Sequence, residues 1–276
     1  MSDDPKTRYE RGLDALSTIS GSPEGGQALA DFFQTQGALG DFVLHVGAGE
    51  IWARDAISRR DRSLIVISFL AALGRELELP QHIGGGLNHG LERDEIDEIM
   101  VQLCAYVGAP FALTGARLAA QVFAERDGTE TRQSPPPPAE LKDPGKRRSD
   151  AFDLLRTLLA APDLDGPSTQ DAMVSTLGVM GELTLDFAFG DVWTRPQLSR
   201  RDRSMVVVSA LTALNLTHEL EIHIGGALNH GVTRTEIEEI MMTAVLYCGF
   251  PRAIDGMHLA LKVFGERDGQ PGDSAS

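Results

Sequence analysis

The sequence predicts an all-α protein built from two tandem copies of one helical domain. Two observations carry that expectation. Ser58-Arg59-Arg60-Asp61-Arg62-Ser63 recurs as Ser199-Arg200-Arg201-Asp202-Arg203-Ser204, and His82-Ile83-Gly84-Gly85 as His223-Ile224-Gly225-Gly226. Leu87-Asn88-His89-Gly90 returns as Leu228-Asn229-His230-Gly231, and Glu125-Arg126-Asp127-Gly128 as Glu266-Arg267-Asp268-Gly269, always in the same register. About half the aligned positions from Asp41 to Gly128 are identical, and the period far exceeds the ~20–50 residues of a solenoid repeat. The second observation is helical periodicity within each copy. Ile96, Ile99, Met100, Leu103 and Val107 follow the i, i+3, i+4 spacing of a buried stripe, matched by Ile237, Ile240, Met241, Ala244 and Cys248.

The domains are expected at 1–128 and 146–276, joined by a linker at 129–145. Pro135 to Pro138 favour extended polyproline II, a semi-rigid spacer. Thr233 and Glu236 fit a capping box opening the second striped helix. Gly108 and Pro110, like Gly249 and Pro251, punctuate the ends of the two striped helices. A further helix follows, from about Phe111 to Glu125 and from about Arg252 to Glu266. Leu64 to Leu70 is rich in β-branched residues and admits a buried strand. Its apolar run continues unbroken through Leu73, which favours helix.

The net charge of −15 and the absence of a basic stripe exclude a duplex nucleic acid as the expected partner, and an anionic membrane surface fares no better. No stretch approaches the ~20 apolar residues of a membrane span. Met1 to Glu10 is polar and charged, unlike the apolar core of a signal peptide, so a cytoplasmic location is expected. Cys104 and Cys248 occupy non-equivalent positions and are expected to be small core residues.

Glu78 with His82, and Glu219 with His223, are spaced one helical turn apart on one face. A carboxylate beside an imidazole can orient it and raise its pKa, the makings of a general acid/base pair; a surface pair or a satisfied core histidine is the alternative. The pair persists where Leu77, Pro80 and Arg75 have drifted to His218, Glu221 and Leu216. His89 and His230 lie seven residues on, on the same face if the helix is unbroken, although Gly84-Gly85-Gly86 invites a break or a close approach. Asn88-His89-Gly90 also resembles a helix C-cap with Gly90 left-handed, which would turn His89 to solvent or to the last carbonyls. Arg62 and Arg203 can hold a substrate carboxylate or pair with a neighbouring acid. Arg54 after Trp52, and Arg195 after Trp193, can frame a pocket or close the core. His218 and His223 stand five apart, not the four of a zincin, and Leu77 replaces the first of them in copy one; no metal is expected.

As an ordered set these residues resemble the carboxymuconolactone decarboxylase family, a branch of the alkyl hydroperoxidase D-like superfamily. The resemblance runs in copy two from Phe189-Gly190-Asp191-Val192-Trp193-Thr194-Arg195-Pro196 through Arg203-Ser204, Glu219, His223 and Leu228-Asn229-His230-Gly231-Val232-Thr233 to Tyr247-Cys248-Gly249-Phe250-Pro251. It implies two tandem copies of the alkyl hydroperoxidase D-like helical fold and a carbon–carbon lyase that decarboxylates a small carboxylated lactone without a cofactor. The superfamily's thiol peroxidases carry Cys-x-x-Cys before the histidine. Here Arg75 and Glu78, or Leu216 and Glu219, stand there, which disfavours a peroxidase. The resemblance assigns proton donation to His223 and His82, their orientation to Glu219 and Glu78, and carboxylate binding to Arg203 and Arg62. Arg195, Trp193, His230 and His89 complete the expected substrate-binding set. Aromatic-degrading members would carry an arginine where Gly84 and Gly225 stand, which widens the substrate to a related small lactone or a polyketide-like acid. A lactone hydrolase, isomerase or dehydratase, or a non-catalytic helical assembly module, remains the alternative. Relatives of one domain assemble as oligomers, implying a homo-oligomer of this chain, a trimer of fused pseudo-dimers.

Overall fold

The computed structural model describes residues 4–269, so Met1–Asp3 of the polar leader and 270–276 of the second expected domain lie outside the described residues. All regular structure among the described residues is helical. The first copy runs α1 (Pro5–Ser20), α2 (Pro23–Gln34), α3 (Ala38–Phe42), π1 (Val43–Trp52), α4 (Arg59–Ala72), α5 (Leu79–Asn88), α6 (Arg93–Val107) and α7 (Ala109–Asp127). The second repeats the order as α8 (Pro144–Leu158), α9 (Gly166–Leu177), α10 (Val179–Leu183), π2 (Thr184–Val192), α11 (Arg200–Leu214), α12 (Thr217–Asn229), α13 (Arg234–Tyr247) and α14 (Phe250–Asp268).

Local chemistry explains these boundaries. Ser58 and Ser199 cap α4 and α11 by accepting from the Asp61 and Asp202 amides. Thr233 and Glu236 form the expected capping box on α13. Gly90 and Gly231 are left-handed, as a C-cap glycine should be. The segment open to a strand reading is helix α4, buried almost throughout, so hydrophobic burial overrides β-propensity there. Of the readings open for the glycine run, tight packing holds, and the expectation for the cysteines fails. The glycine run does not break α5, because Gly85 packs on Ile19 and Gly86 on Ile67 and Leu91, so bare backbone serves tight helix contact. Cys104 and Cys248 are only partly buried, Cys248 packing against the core from its edge.

The two π-helices were not foreseen. Each packs against the first helix of its copy so closely that a Cβ on Gly49 would lie 2.2 Å from the Arg8 carbonyl, and one on Gly190 2.4 Å from the Arg147 carbonyl. Wide π turns are costly and recur at functional sites; here π1 delivers Trp52 and π2 leads directly into Trp193.

The copies share one hydrophobic core. α4 packs on α11, α4 on α13, and α11 on α6. At their junction Arg60 reaches Asp202 at 2.9 Å and Arg201 reaches Asp61 at 2.9 Å, the reciprocal pairing of an isologous interface. Between α7 and α8 the proline segment lies along the second copy, with Pro137 and Pro138 carbonyls accepting from Arg195.

Candidate active site

Each site is assembled from both copies. Trp52 closes π1, and its indole N–H donates to the Tyr247 hydroxyl at the end of α13, 2.8 Å away. An indole nitrogen only donates. The Tyr247 O–H is therefore left to donate to His82 Nε2, at 3.3 Å. That assigns the imidazole proton to Nδ1, which has no hydrogen-bond partner among the described residues. Trp52 stacks on His82 with ring centroids 5.8 Å apart, and Tyr247 meets it edge-on at 5.3 Å. Pseudo-symmetry repeats the set: Trp193 donates to Tyr106 at 2.8 Å, and Tyr106 lies 3.3 Å from His223 Nε2.

His82 and Tyr247 line a cavity of about 790 Å³ with Trp52, Glu78, Gln81 and Arg75, walled by apolar side chains of α1, α2, α3 and π1. That volume suits a small organic ligand.

A buried ionic layer lies beside each tyrosine. Arg62 is fully buried in α4 and gives its NH groups to Glu239 at 2.9 Å and Thr243 at 2.9 Å, both from α13. Arg54 donates to the same Glu239 at 2.7 Å. In mirror image, Arg203 donates to Glu98 and Gln102 at 2.7 Å, and Arg195 donates to Glu98 at 2.9 Å. Burial pushes the Glu239 carboxyl up, but the hydrogen bonds and charges of Arg54 and Arg62 outweigh it and hold it below its usual range.

Both site histidines are driven neutral. Burial, assisted by the neighbouring His89, lowers His82 to about 4, and burial with His230 lowers His223 to about 4. His89 and His230 fall to about 4 as well, through burial and then the charges of Arg59 and Arg200.

These placements revise several expectations. His82 and His223 are not raised in pKa by Glu78 and Glu219. Glu78 is exposed at the start of α5, and its carboxylate makes no hydrogen bond or ion pair among the described residues; Glu219 behaves alike. Tyrosine, not glutamate, holds each imidazole. Arg62, Arg203 and Arg195 do not suit carboxylate binding, because acids of the opposite copy already engage their guanidinium groups. His89 faces neither solvent nor the cavity: it is partly buried against Trp52, with Nδ1 2.8 Å from the Ser63 hydroxyl. His230 repeats this with Ser204 at 2.9 Å. Trp193 keeps its place at the site, stacked on His223 at 6.1 Å.

Sequence reasoning missed Tyr106, Tyr247, Glu98 and Glu239. The signal was present, since two of the chain's three tyrosines occupy equivalent positions, Tyr106 and Tyr247, while the five positions before each, from Val101 and from Met242, have drifted.

Among known proteins, the carboxymuconolactone decarboxylase family model matches residues 37–121 and 180–262, together more than half of the chain. The chain is 42% identical over 78 residues to the 4-carboxymuconolactone decarboxylase of Acinetobacter baylyi, covering 28% of this chain and 58% of that protein. It is 38% identical over 85 residues to the nitrosuccinic acid decarboxylase of Metarhizium robertsii, covering 31% of this chain and 59% of that protein. In each case the match spans a little over half the relative's length.

Proposed function

The chain belongs to the carboxymuconolactone decarboxylase family, and from that premise we propose that it removes carbon dioxide from a small carboxylated substrate by acid/base chemistry, without a cofactor, at His82 and its counterpart His223. One observation carries this reading: a neutral imidazole, fixed through Nε2 by the tyrosine of the other copy, borders a cavity sized for a small acid.

The relatives' names specify decarboxylation of a carboxylated lactone in one case and of a nitro-substituted acid in the other. In both classes the bond between the carboxylate and its carbon breaks, carbon dioxide leaves, and the electron pair passes to the carbonyl or nitro group. The carbanion equivalent then takes one proton. With substrate bound, His82 takes a proton from solvent at Nε2, the Tyr247 hydroxyl turning to accept from it; the imidazolium gives its Nδ1 proton to the carbanion equivalent and returns to the neutral ring, so each turnover consumes one proton. At rest His82 is neutral. A substrate carboxylate, and then the developing enolate, favours the imidazolium, so the acid appears where the negative charge does. Glu78 lines the same cavity and relays protons between His82 and solvent; Glu219, exposed at the equivalent position, takes that role for His223. Trp52 lines the same cavity beside His82, and Trp193, almost fully buried, backs His223.

The test is carbon dioxide release from a carboxylated lactone and from nitrosuccinate. We expect the wild type to release it from one of them, and His82→Gln with His223→Gln to stop it while helicity and thermal unfolding stay intact. Full activity in the double variant overturns the assignment.

Exposed Leu39 and Phe42, mirrored by Met180 and Leu183, support assembly of three such fused pairs into a homo-oligomer. A light-scattering mass of one chain contradicts that.

A further inference from the structure

The two sites share their tryptophan, tyrosine and histidine but differ in their surroundings. Gly74 at φ +64° and Asn215 at φ +56° make the same left-handed turn after α4 and α11. The next residue is anchored alike in both copies, Arg75 N–H to the Leu70 carbonyl at 2.9 Å and Leu216 N–H to the Leu211 carbonyl at 3.0 Å. One backbone geometry therefore presents a guanidinium in the first copy and an isobutyl group in the second. Gln81 of the first copy likewise becomes Ile222.

Arg75 lines the His82 cavity and stands between it and a smaller space beside Phe111. Its guanidinium has no hydrogen-bond or ion-pair partner among the described residues, whereas Arg54, Arg62, Arg195 and Arg203 are all committed to Glu98 or Glu239. A solvated, unpaired guanidinium beside a cavity offers two parallel N–H donors to a carboxylate. The equivalent positions around His223 offer Leu216 and Ile222, and the exposed Glu219 has no ion-pair partner among the described residues.

We propose that Arg75 receives the substrate's carboxylate, and that the first copy's cavity is therefore the acid-binding site while the surroundings of His223, where Leu216 and Ile222 stand, lack that capacity. The assignment rests on the decarboxylase reading for its substrate class and narrows that reading to the His82 site, which makes the two halves chemically unequal. It runs against the sequence pattern, since copy two keeps the Trp193-Thr194-Arg195-Pro196 motif while copy one has Asp55 in place of the proline. Copy two would then serve the first site by supplying Tyr247 and Glu239.

Binding to the full chain tests this without catalysis. The probes are 5-oxooxolane-3-carboxylate and its uncharged methyl ester, followed by calorimetry and by histidine NMR. The wild type is expected to bind one carboxylate per chain, shifting His82 and not His223. Arg75→Leu should weaken the carboxylate by about 10- to 100-fold, the worth of a charged hydrogen-bonded pair, and leave the ester unchanged. Leu216→Arg should add a second equivalent that shifts His223. Unchanged carboxylate affinity in Arg75→Leu, equal shifts of both histidines in the wild type, or no carboxylate binding at all overturns the proposal. If the carboxylate binds as expected but no acid releases carbon dioxide, the decarboxylase reading fails and the assignment of the acid site stands.

Discussion

Tyr247 of the second copy hydrogen-bonds His82 of the first, its hydroxyl 3.3 Å from Nε2 and 2.8 Å from the Trp52 indole nitrogen that donates to it. Both histidine sites are therefore built from the two repeats together. The fused pair is the functional unit, and the consequences are measurable.

Removing the tyrosine hydroxyl should release the imidazole. Tyr247→Phe leaves the Trp52 N–H unpaired and frees His82 to change tautomer. We expect a loss of about 1–3 kcal/mol in stability and on the order of 100-fold in kcat from the misoriented ring, measured by denaturant unfolding and by carbon dioxide release. An unchanged kcat contradicts the tyrosine's positioning role.

Glu239 should matter to folding more than any surface acid. It is 2% exposed and holds Arg62, which is 0% exposed, so Glu239→Ala strands a buried charge. We expect a cost of about 3–5 kcal/mol. Glu76, which meets Arg117 at the surface, should cost below about 1 kcal/mol when changed to alanine. Urea unfolding of the two variants compares them directly.

The first copy alone lacks Tyr247, Glu239 and Thr243, which leaves Arg62 without its acid. Residues 1–128 expressed separately should be poorly folded and inactive, and mixing with 129–276 should restore helicity and activity. Full activity of the isolated first copy refutes the composite site.

Acid should destabilise the fold through its histidines. His82, His89, His223 and His230 sit at about 4 in the folded chain, against ~6.5 unfolded. Between those values the unfolded chain binds more protons, so stability rises with pH across the window and is lost as pH falls from about 6.5 towards 4. Thermal unfolding from pH 7.5 to 4.5 should show a steadily falling midpoint, and a flat profile contradicts the neutral burial of these rings.

Binding of an acid should take up protons. A carboxylate beside His82 raises its affinity for a proton, so calorimetric titrations near pH 5.5 in buffers of different ionisation enthalpy should report net uptake. Proton release on binding contradicts the scheme.

The architecture was legible because its determinants are local. The striped α6 and α13, the Thr233–Glu236 box and left-handed Gly90 and Gly231 each depend on residues a few positions apart, and the repeat register shows by direct comparison of the two halves. The π-helices were hidden, since over ten residues an i+5 pattern is hard to tell from i+4. The site was legible only in its histidines and tryptophans. Glu239 and Arg62, or Tyr247 and His82, meet across a pseudo-twofold interface more than a hundred residues apart in sequence, and no spacing rule reads such pairs. Glu78 misled for the opposite reason: correct helical spacing put it near His82, but it stands at the first turn of α5, where its carboxylate stays exposed.

The most direct measurement is the protonation state of His82 in the resting, full-length protein, read from long-range proton–nitrogen NMR correlations. The account predicts a neutral ring at pH 7 with the proton on Nδ1 and titration near pH 4. An imidazolium at pH 7, or a proton resting on Nε2, would contradict the hydrogen bond from Tyr247 and with it the construction of the site.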